Sequence, residues 1–218
     1  MDIRDYVPEF EKSWVYTKAL SYLFSPFFDD RSSKKDTFDP EIYSSTIELI
    51  AVEDDKVVGL LDIGIYNQEF SLSYKYHPAD KVAYFANLAV HPDYQGRGIA
   101  SKLFAVADKR LIEEGVDVLA IFTREGEVAN HLYQKWGGQL VATDYLVVGN
   151  LKSEKPFNFE VLKNQGCLRF SRQGKEIPFY QREGVYILSD KAALEQFDIE
   201  QVYKEMTYIK TYKKTGNK

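Results

Sequence analysis

Gln95-Gly96-Arg97-Gly98-Ile99-Ala100 is the stretch of this 218-residue sequence whose residue types and spacing imply chemistry most directly. Gly96 and Gly98 let the main chain turn tightly and bring its N–H groups close to a ligand, with no Cβ in the way. A helix opening here adds unpaired N–H donors and the positive end of its dipole, a combination that holds a pyrophosphate. Arg97 can add a charge contact to the same group. An isolated Gly-x-Gly is more often an ordinary strand-to-helix connection, so the surroundings must decide. A P-loop would need Gly-Lys-Ser/Thr, which is absent. A Rossmann turn would tolerate Ser101 as its third small residue, but it belongs to a first strand–helix connection, whereas this one follows a hairpin.

The elements that position the turn follow from apolar periodicity. Ile3–Tyr6 predicts a short strand, and residues 9–24 a helix with Phe10, Trp14, Leu20 and Phe24 on one face. Residues 29–40 are polar and turn-like. Thr46–Glu53 and Lys56–Tyr66 are β-branched runs around Asp54-Asp55, a hairpin signal. After a second loop through His77-Pro78, Val82–Val90 reads as a strand and Gly98–Glu114 as a helix stopped by Gly115. Val116–Phe122 reads as a strand buried on both faces, Glu127–Trp136 as a helix closed by Gly137-Gly138, and Leu140–Val148 as a last strand or strand pair turning at Thr143-Asp144. Strand, helix, strand, helix, strand from Val82 onward implies a right-handed crossover and locally parallel strands, while the hairpin implies antiparallel pairing. The expected fold is α+β: a mixed, centrally parallel sheet flanked by helices.

That main domain is expected over residues 1–150, with a small α+β extension over 151–218. In the extension Lys152–Lys155 reads as a linker, Phe159–Leu162, Cys167–Ser171 and Val185–Leu188 as strands, and Gln173-Gly174-Lys175 as a hairpin turn. Leu194, Val202, Met206 and Ile209 predict one or two helices after Lys191.

In that context, the run from Leu88-Ala89-Val90-His91-Pro92 through Asp93-Tyr94 to Gln95-Gly96-Arg97-Gly98-Ile99-Ala100 closely resembles the acyl-CoA signature of the GNAT superfamily of N-acetyltransferases. That signature runs from a fourth strand through a Gln/Arg-x-x-Gly-x-Gly/Ala loop into a helix. Leu132-Tyr133-Gln134-Lys135-Trp136-Gly137-Gly138 is similar to the family's later Leu-Tyr-x-x-x-Gly-Phe motif. The resemblance covers about residues 1–149 and is strongest over 82–138. It implies acetyl-CoA as co-substrate. Leu88 and Val90, with Ala89 between them, would offer main-chain groups to the pantetheine arm, which would extend the sheet as a pseudo-strand. The N–H groups of Gln95, Gly96, Arg97, Gly98, Ile99 and Ala100, with Ser101, would hold the pyrophosphate. Tyr133 matches the tyrosine that in many members gives a proton to the departing CoA thiolate.

The implied reaction is attack of a neutral amine on the thioester carbonyl, in which the oxyanion needs a donor and the thiolate needs stabilisation or a proton. A thiol of pKa about 8.5 already leaves tolerably, so Tyr133 is expected to speed the step rather than be indispensable. Core packing on an amphipathic helix is the plainer role for such a residue, but its place two before Lys135 and four before Gly137 favours the chemical one. Three positions depart from the family pattern. Ala86 stands where many members carry a glutamate base, Gly126 where an asparagine is frequent (Asn130 lies one turn later), and Gly138 where phenylalanine is usual. Glu48, Asp62 and Asp93 are acids near predicted strands that could take the amine's proton, although a structural or solvated carboxylate is the plainer reading of each. Tyr22, Phe24, Phe27 and Phe28 either wall the acceptor pocket or pack the core.

Composition narrows the classes further. At 44% hydrophobic and 28% charged residues the chain is that of an ordinary soluble globular protein. Its 16 Tyr and 14 Phe suit either a core or a small-molecule pocket. No apolar stretch approaches the ~18 residues of a membrane span, and Met1–Asp5 lacks the basic-then-apolar order of a secretory signal. Cys167 is the single cysteine, which rules out an intrachain disulfide and disfavours a cysteine metal site or an acyl-enzyme. His77, His91 and His131 show no ligand spacing, so no metal is expected. A reducing cytoplasm is the expected location. The net charge of −5 argues against a general nucleic-acid binder. Residues 151–218 carry 13 Lys/Arg against 9 Asp/Glu, which leaves a balance of −9 on residues 1–150. That acidic balance is a weak attraction for a cationic amine and otherwise a solvated surface. The expected activity is acetyl transfer to a primary amine, of a small molecule or a protein, by direct attack in a ternary complex. The alternative is a catalytically idle acyl-CoA-binding module that signals through its extension; the extension could also mediate a homodimer.

Overall fold

In the computed structural model, which describes residues 1–23, 25–27, 32–153, 157–162, 167–178 and 184–212, the chain begins as β1 (Asp2–Asp5). A 3-10 turn at Pro8–Phe10 leads into α1 (Glu11–Tyr22). β2 (Tyr43–Glu53) and β3 (Lys56–Tyr66) form the predicted hairpin. Asp54 and Asp55 both take left-handed backbone, with φ of 49° and 57°, which is the two-residue turn whose twist matches its strands. The stretch read as a second loop contains a short helix, α2 (Gln68–Leu72), started by Asn67, whose side chain accepts from the Phe70 N–H at 3.0 Å. β4 (Val82–Val90), α3 (Ile99–Glu113), β5 (Val118–Arg124) and α4 (Glu127–Lys135) fall within two residues of their predicted limits.

β1 to β5 lie side by side in chain order, antiparallel except for the parallel pair β4–β5. The sheet is therefore mixed, as expected, and mostly antiparallel. On one face Leu49, Leu61, Ile63, Phe85 and Ile121 pack against Leu103, Ala107 and Leu111 of α3. On the other, Trp14 of α1 packs on Ile50, Leu60 and Ala89. Of the apolar face predicted for α1, Trp14 is fully buried, Leu20 is exposed and Phe24 lies outside the described residues. Thr17 and Lys18 are buried in their place. Thr17 Oγ1 donates to the Val57 carbonyl and Ser13 Oγ accepts from the Val57 N–H at 2.8 Å, so hydrogen bonds as well as apolar contact seat this helix. Its low apolar periodicity is accounted for.

Gly59 on β3 is what lets α3 come close. A Cβ there would stand 2.6 Å from Ile99 Cγ2 and 3.2 Å from Leu103 Cδ1. Gly59→Ala is expected to destabilise the protein by about 1–3 kcal/mol through overpacking, read as a lower urea midpoint with unchanged slope.

After β6 (Gln139–Leu151), a single strand without the turn expected at Thr143-Asp144, come β7 (Phe157–Leu162), β8 (Cys167–Arg172) and β9 (Lys175–Ile177). These three form an antiparallel sheet, closed between β8 and β9 by Gln173 and Gly174 in left-handed backbone. β10 (Gly184–Leu188) pairs antiparallel with β6. The helices expected after Lys191 do not form. A 3-10 turn at Lys191–Gln196 is followed by β11 (Phe197–Thr211). The spacing of Leu194, Val202, Met206 and Ile209 fits a helix template loosely, but Val202, Tyr203, Thr207, Tyr208, Ile209 and Thr211 are β-branched or aromatic residues that favour a pleated strand. Residues 154 and 155 of the expected linker lie outside the described residues.

The chain divides into two compact units, Met1–Ala142 together with Met206–Lys218, and Thr143–Glu205. In the second unit Val147, Leu188 and Phe197 form a small core of their own. In the first, the end of β11 lies beside β5 and buries Tyr208 completely. Lys210 Nζ and Tyr212 Oη both reach Asp108 of α3, at 2.5 and 2.7 Å.

Candidate active site

β4 and β5 pair from Val82↔Val118 only as far as Phe85↔Ile121, although β4 runs on to Val90 and β5 to Arg124. The two strands therefore part, and one edge of β4 from Ala86 to Val90 faces a gap within the sheet. A bulge marks the parting. Asp62 of β3 opposes Asn87 while Ile63 opposes Phe85, which leaves Ala86 as the extra residue. Beyond it Leu88 and Val90 are half-buried against the α3-side core and Ala89 is buried on the α1 side.

The gap leads to the glycine turn. β4 ends at Val90, His91 caps a 3-10 turn over Pro92–Tyr94, and Gly96 and Gly98 take φ of +75° and +73°. A Cβ at either glycine would meet no atom within 4 Å, so the space over the turn is open. Gly98 is the N-cap of α3 and makes no side-chain cap bond. The first backbone bond of the helix is Lys102 N–H to Gly98 O at 3.1 Å. Among the described residues the N–H groups of Gly96, Arg97, Gly98, Ile99, Ala100 and Ser101 meet no acceptor, which makes six donors at the positive end of a fifteen-residue helix. Ile99 is buried and anchors this turn to the sheet, whereas Gly96, Arg97 and Gly98 are exposed. The Arg97 side chain expected at a phosphate is engaged elsewhere, and the Gln95 N–H expected there donates instead to Pro92 O at 3.3 Å. Gln95 Nε2 donates to Val90 O at 3.2 Å. Arg97 donates to Asp93 O at 3.0 Å, stacks 4.6 Å over Tyr94 and lies 3.8 Å from Glu53. Main-chain donors, rather than Arg97, dominate the turn.

Tyr133 sits on α4, buried on the α3-side face of the sheet, edge-on to Phe85 and Trp136 and tilted against Tyr208. Its hydroxyl bonds the side chain of Thr123 of β5, two residues past the last β4–β5 pair. Burial pushes the phenol up to about 12, only partly offset by Thr123, so the group keeps its proton at any physiological pH. Asn130, one turn earlier on the helix, accepts from Tyr208 Oη at 2.9 Å and donates to Arg124 O and Gly126 O, which fixes the start of α4. Thr123 and Tyr208 carry no motif. A lone threonine in an otherwise apolar strand is the only sequence signal for the first.

On the opposite face Glu48, Asp62 and Asn87 form a row across β2, β3 and β4. Asn87 Nδ2 donates to Asp62 Oδ2 at 3.0 Å, and Lys35 lies against both acids, hydrogen-bonded to Glu48 and 3.5 Å from Asp62 Oδ1. Of the three acids considered from sequence, two thus share one buried cluster. Asp93 is exposed in the 3-10 turn. Burial raises the Asp62 carboxyl to about 6, against the opposing pull of Lys35 and Asn87 and with a further push from Glu48. The folded protein therefore holds this proton more tightly than the unfolded chain does. The stability it contributes is complete below pH 3.8 and is lost as pH rises through 6. Relative to Asp62→Asn, the native protein is expected to lose on the order of 2–3 kcal/mol between pH 4 and pH 7, measured as the difference in urea unfolding free energy at each pH. A constant difference across that range overturns the assignment.

Tyr22 stacks on Phe27 at 5.2 Å, and Arg124 reaches over from the end of β5, 5.2 Å from the Phe27 ring and 2.6 Å from Pro26 O. The other two aromatics considered with them, Phe24 and Phe28, lie outside the described residues. Among the described residues no group of three or more His, Cys, Asp or Glu side chains is arranged to hold a metal, and no helix is long and apolar enough to cross a membrane.

A sheet opened between two parallel strands, with a donor-rich helix start at its mouth, is a frame able to receive a phosphate-bearing ligand. The sequence profile of the acetyltransferase (GNAT) family matches residues 11–138, and the chain belongs to that family. An acetyltransferase of Yersinia pestis (strain Pestoides F) is 33% identical over 123 residues, which cover 56% of this chain and 73% of that protein. The fold is shared with the ribosomal-protein-S18-alanine N-acetyltransferase from Escherichia coli, at a TM-score of 0.52 and 13% identity, over 99% of this chain and 96% of that one. It is shared as well with smu.2055 from Streptococcus mutans UA159, at 0.54 and 17%, over 97% and 99%.

Proposed function

We propose that the protein is an N-acetyltransferase that moves the acetyl group of acetyl-CoA onto a primary amine in a ternary complex. The observation that carries this reading is the continuity of the β4–β5 gap with a turn holding six unsatisfied N–H donors, in a chain of the acetyltransferase family. The turn fits a pyrophosphate because no Cβ crowds it, and the free edge of Leu88, Ala89 and Val90 suits an amide-bearing arm laid along β4. Gln95, Gly96, Arg97, Gly98, Ile99, Ala100 and Ser101 form the phosphate end, with the Gln95 and Arg97 side chains shaping the turn rather than touching the ligand.

Acetyl-CoA bound in this way supplies an activated thioester. The amine nitrogen forms its bond to the acetyl carbon as the C–S bond breaks. Tyr133, protonated and walled by Phe85 and Trp136 beside the parting strands, gives its proton to the departing sulfur, and the proton lost by the amine nitrogen passes through water to restore it. Ala86 has no side chain to serve as base, and its place in the bulge leaves the gap clear for the acyl group.

Titration calorimetry with acetyl-CoA, followed by thiol release over a panel of amines, tests the proposal. Binding together with amine-dependent thiol release is expected. Absence of acyl-CoA binding overturns it, and binding without release for any amine replaces it with an idle acyl-CoA-binding module.

A further inference from the structure

On the α1 side of the sheet, an open groove of about 390 Å³ is walled by Tyr43, Tyr66, Phe70, Tyr74, Tyr76 and Phe122. That volume lies in the range of small-molecule sites. Its rings form a connected set. Tyr66 stacks on Tyr43 at 4.9 Å and on Tyr84 at 6.4 Å, and Phe122 stands edge-on to Tyr76 at 5.2 Å and tilted against Tyr84 at 6.0 Å. The arrangement depends on Gly64 of β3. A Cβ there would lie 2.5 Å from the Tyr43 ring and 2.7 Å from Phe38, so the strand carries no side chain where the rings rest on it. Several of these rings keep much of their surface exposed, Phe70, Tyr76 and Phe122 among them. Tyr74 Oη is buried and has no hydrogen-bond partner among the described residues.

The groove meets the gap. Tyr84 is one residue before the last paired position of β4, and Phe122 is the first residue of β5 beyond it. Along β5, Phe122 points into the groove while Thr123, the next residue, points to the other face and bonds Tyr133. A molecule held against Phe122 therefore approaches the gap from one face of the sheet, and Tyr133 borders it from the other. Attack from the groove side leaves the departing sulfur turned toward its proton donor.

We propose that this groove is the acceptor subsite and that it takes a monoamine with an aromatic body, an arylalkylamine. This rests on the acetyltransferase reading above. Ring faces attract both a stacked aromatic and an ammonium group on its approach. No carboxylate lines the groove among the described residues, and Lys75 stands in its wall, so a second positive charge on the ligand has no partner there and meets repulsion. Polyamines are thereby disfavoured and a single amine on an aromatic stem is favoured. In the transfer the ammonium first gives one proton to water, the neutral amine nitrogen bonds the acetyl carbon as the C–S bond breaks, Tyr133 protonates the sulfur, and the second proton leaving the nitrogen passes through water to restore Tyr133.

The test compares 2-phenylethylamine, 2-cyclohexylethylamine and spermidine as acceptors by thiol release with saturating acetyl-CoA. In parallel, saturation-transfer NMR reads binding of 2-phenylethylamine to the CoA-loaded protein. The aromatic amine is expected to have kcat/KM at least tenfold above its saturated counterpart and above spermidine. Phe122→Ala and Tyr76→Ala, both at partly exposed positions, are expected to abolish that preference while melting temperature and acetyl-CoA affinity stay near native. Equal use of the three amines, or a preference untouched by both variants, overturns the groove assignment and leaves the transferase reading standing. If no amine releases thiol, the transferase reading fails. Saturation transfer to 2-phenylethylamine that is lost in Phe122→Ala then still supports an aromatic-amine site, and absence of transfer in the native protein removes it.

Discussion

Gly98→Val is expected to weaken acetyl-CoA binding by about 10²- to 10³-fold while leaving the protein folded. Gly98 has φ of +73°, a region in which a β-branched residue is strained. The Cβ itself meets nothing within 4 Å, so the change inserts no clash into the free protein. Valine can relieve its strain only by rotating the backbone, which swings the N–H groups of Gly98, Ile99 and Ala100 away from a common focus. Its methyl groups also occupy the open space in which a pyrophosphate would sit. Loss of about 3–4 kcal/mol in binding corresponds to that range of affinity. Gly98→Ala, which strains the turn less, should fall in between, near tenfold. Titration calorimetry reads both, with thermal unfolding as the control for fold. Binding by the valine variant within threefold of native would mean that the turn does not hold the coenzyme.

The second large effect belongs to Tyr133. Tyr133→Phe keeps the ring that packs on Phe85, Trp136 and Tyr208 and removes only the hydroxyl bonded to Thr123. Stability should fall by about 1 kcal/mol, the net value of an ordinary hydrogen bond. Turnover should fall much further. A positioned general acid contributes 10²- to 10⁴-fold, and the lower end applies because a thiolate leaves without a proton more readily than an alkoxide or amide does. The expected result is a kcat reduced about 10²-fold with the KM for acetyl-CoA within twofold of native. A fall in both stability and coenzyme affinity with kcat preserved would instead identify Tyr133 as core packing alone.

Where the sequence was legible, a local rule matched the tertiary outcome. β4, α3 and α4 were readable because their limits are written in glycines and a proline: Pro92 after β4, Gly98 before α3, and Gly115 and Gly137 after the two helices. The hairpin was readable because Asp54-Asp55 tolerates left-handed backbone. β11 was not, since its irregular apolar spacing loosely fits a helix template and the strands it lies between, β5 and β6, come roughly 60 to 80 residues earlier in the chain. The site divides in the same way. The glycine turn and Tyr133 carry contiguous motifs. The aromatic groove and the Lys35–Asp62 cluster are assembled from residues 35 to 122 with no shared spacing, brought to one face by the pleat of the sheet together with the connections that cross it. Arg97 shows a limit of another kind. A positive charge in a phosphate-type loop invites a phosphate contact, yet a nearby carbonyl, an aromatic ring and Glu53 give its guanidinium enough to hold it.

The return of β11 to the first unit also bears on the order in which the molecule can be made. Residues 143–205 are spelled out between the two stretches of chain that compose that unit. When a ribosome has released the chain only as far as Glu205, α4 and the β4–β5 gap are already synthesised, but Tyr208, which holds Asn130 and flanks Tyr133, is not. The helix carrying the proposed acid therefore gains its final neighbours among the last residues made. Loops closed over such distances form slowly, so a nascent chain is expected to form the glycine turn before the helix carrying Tyr133 is locked in place.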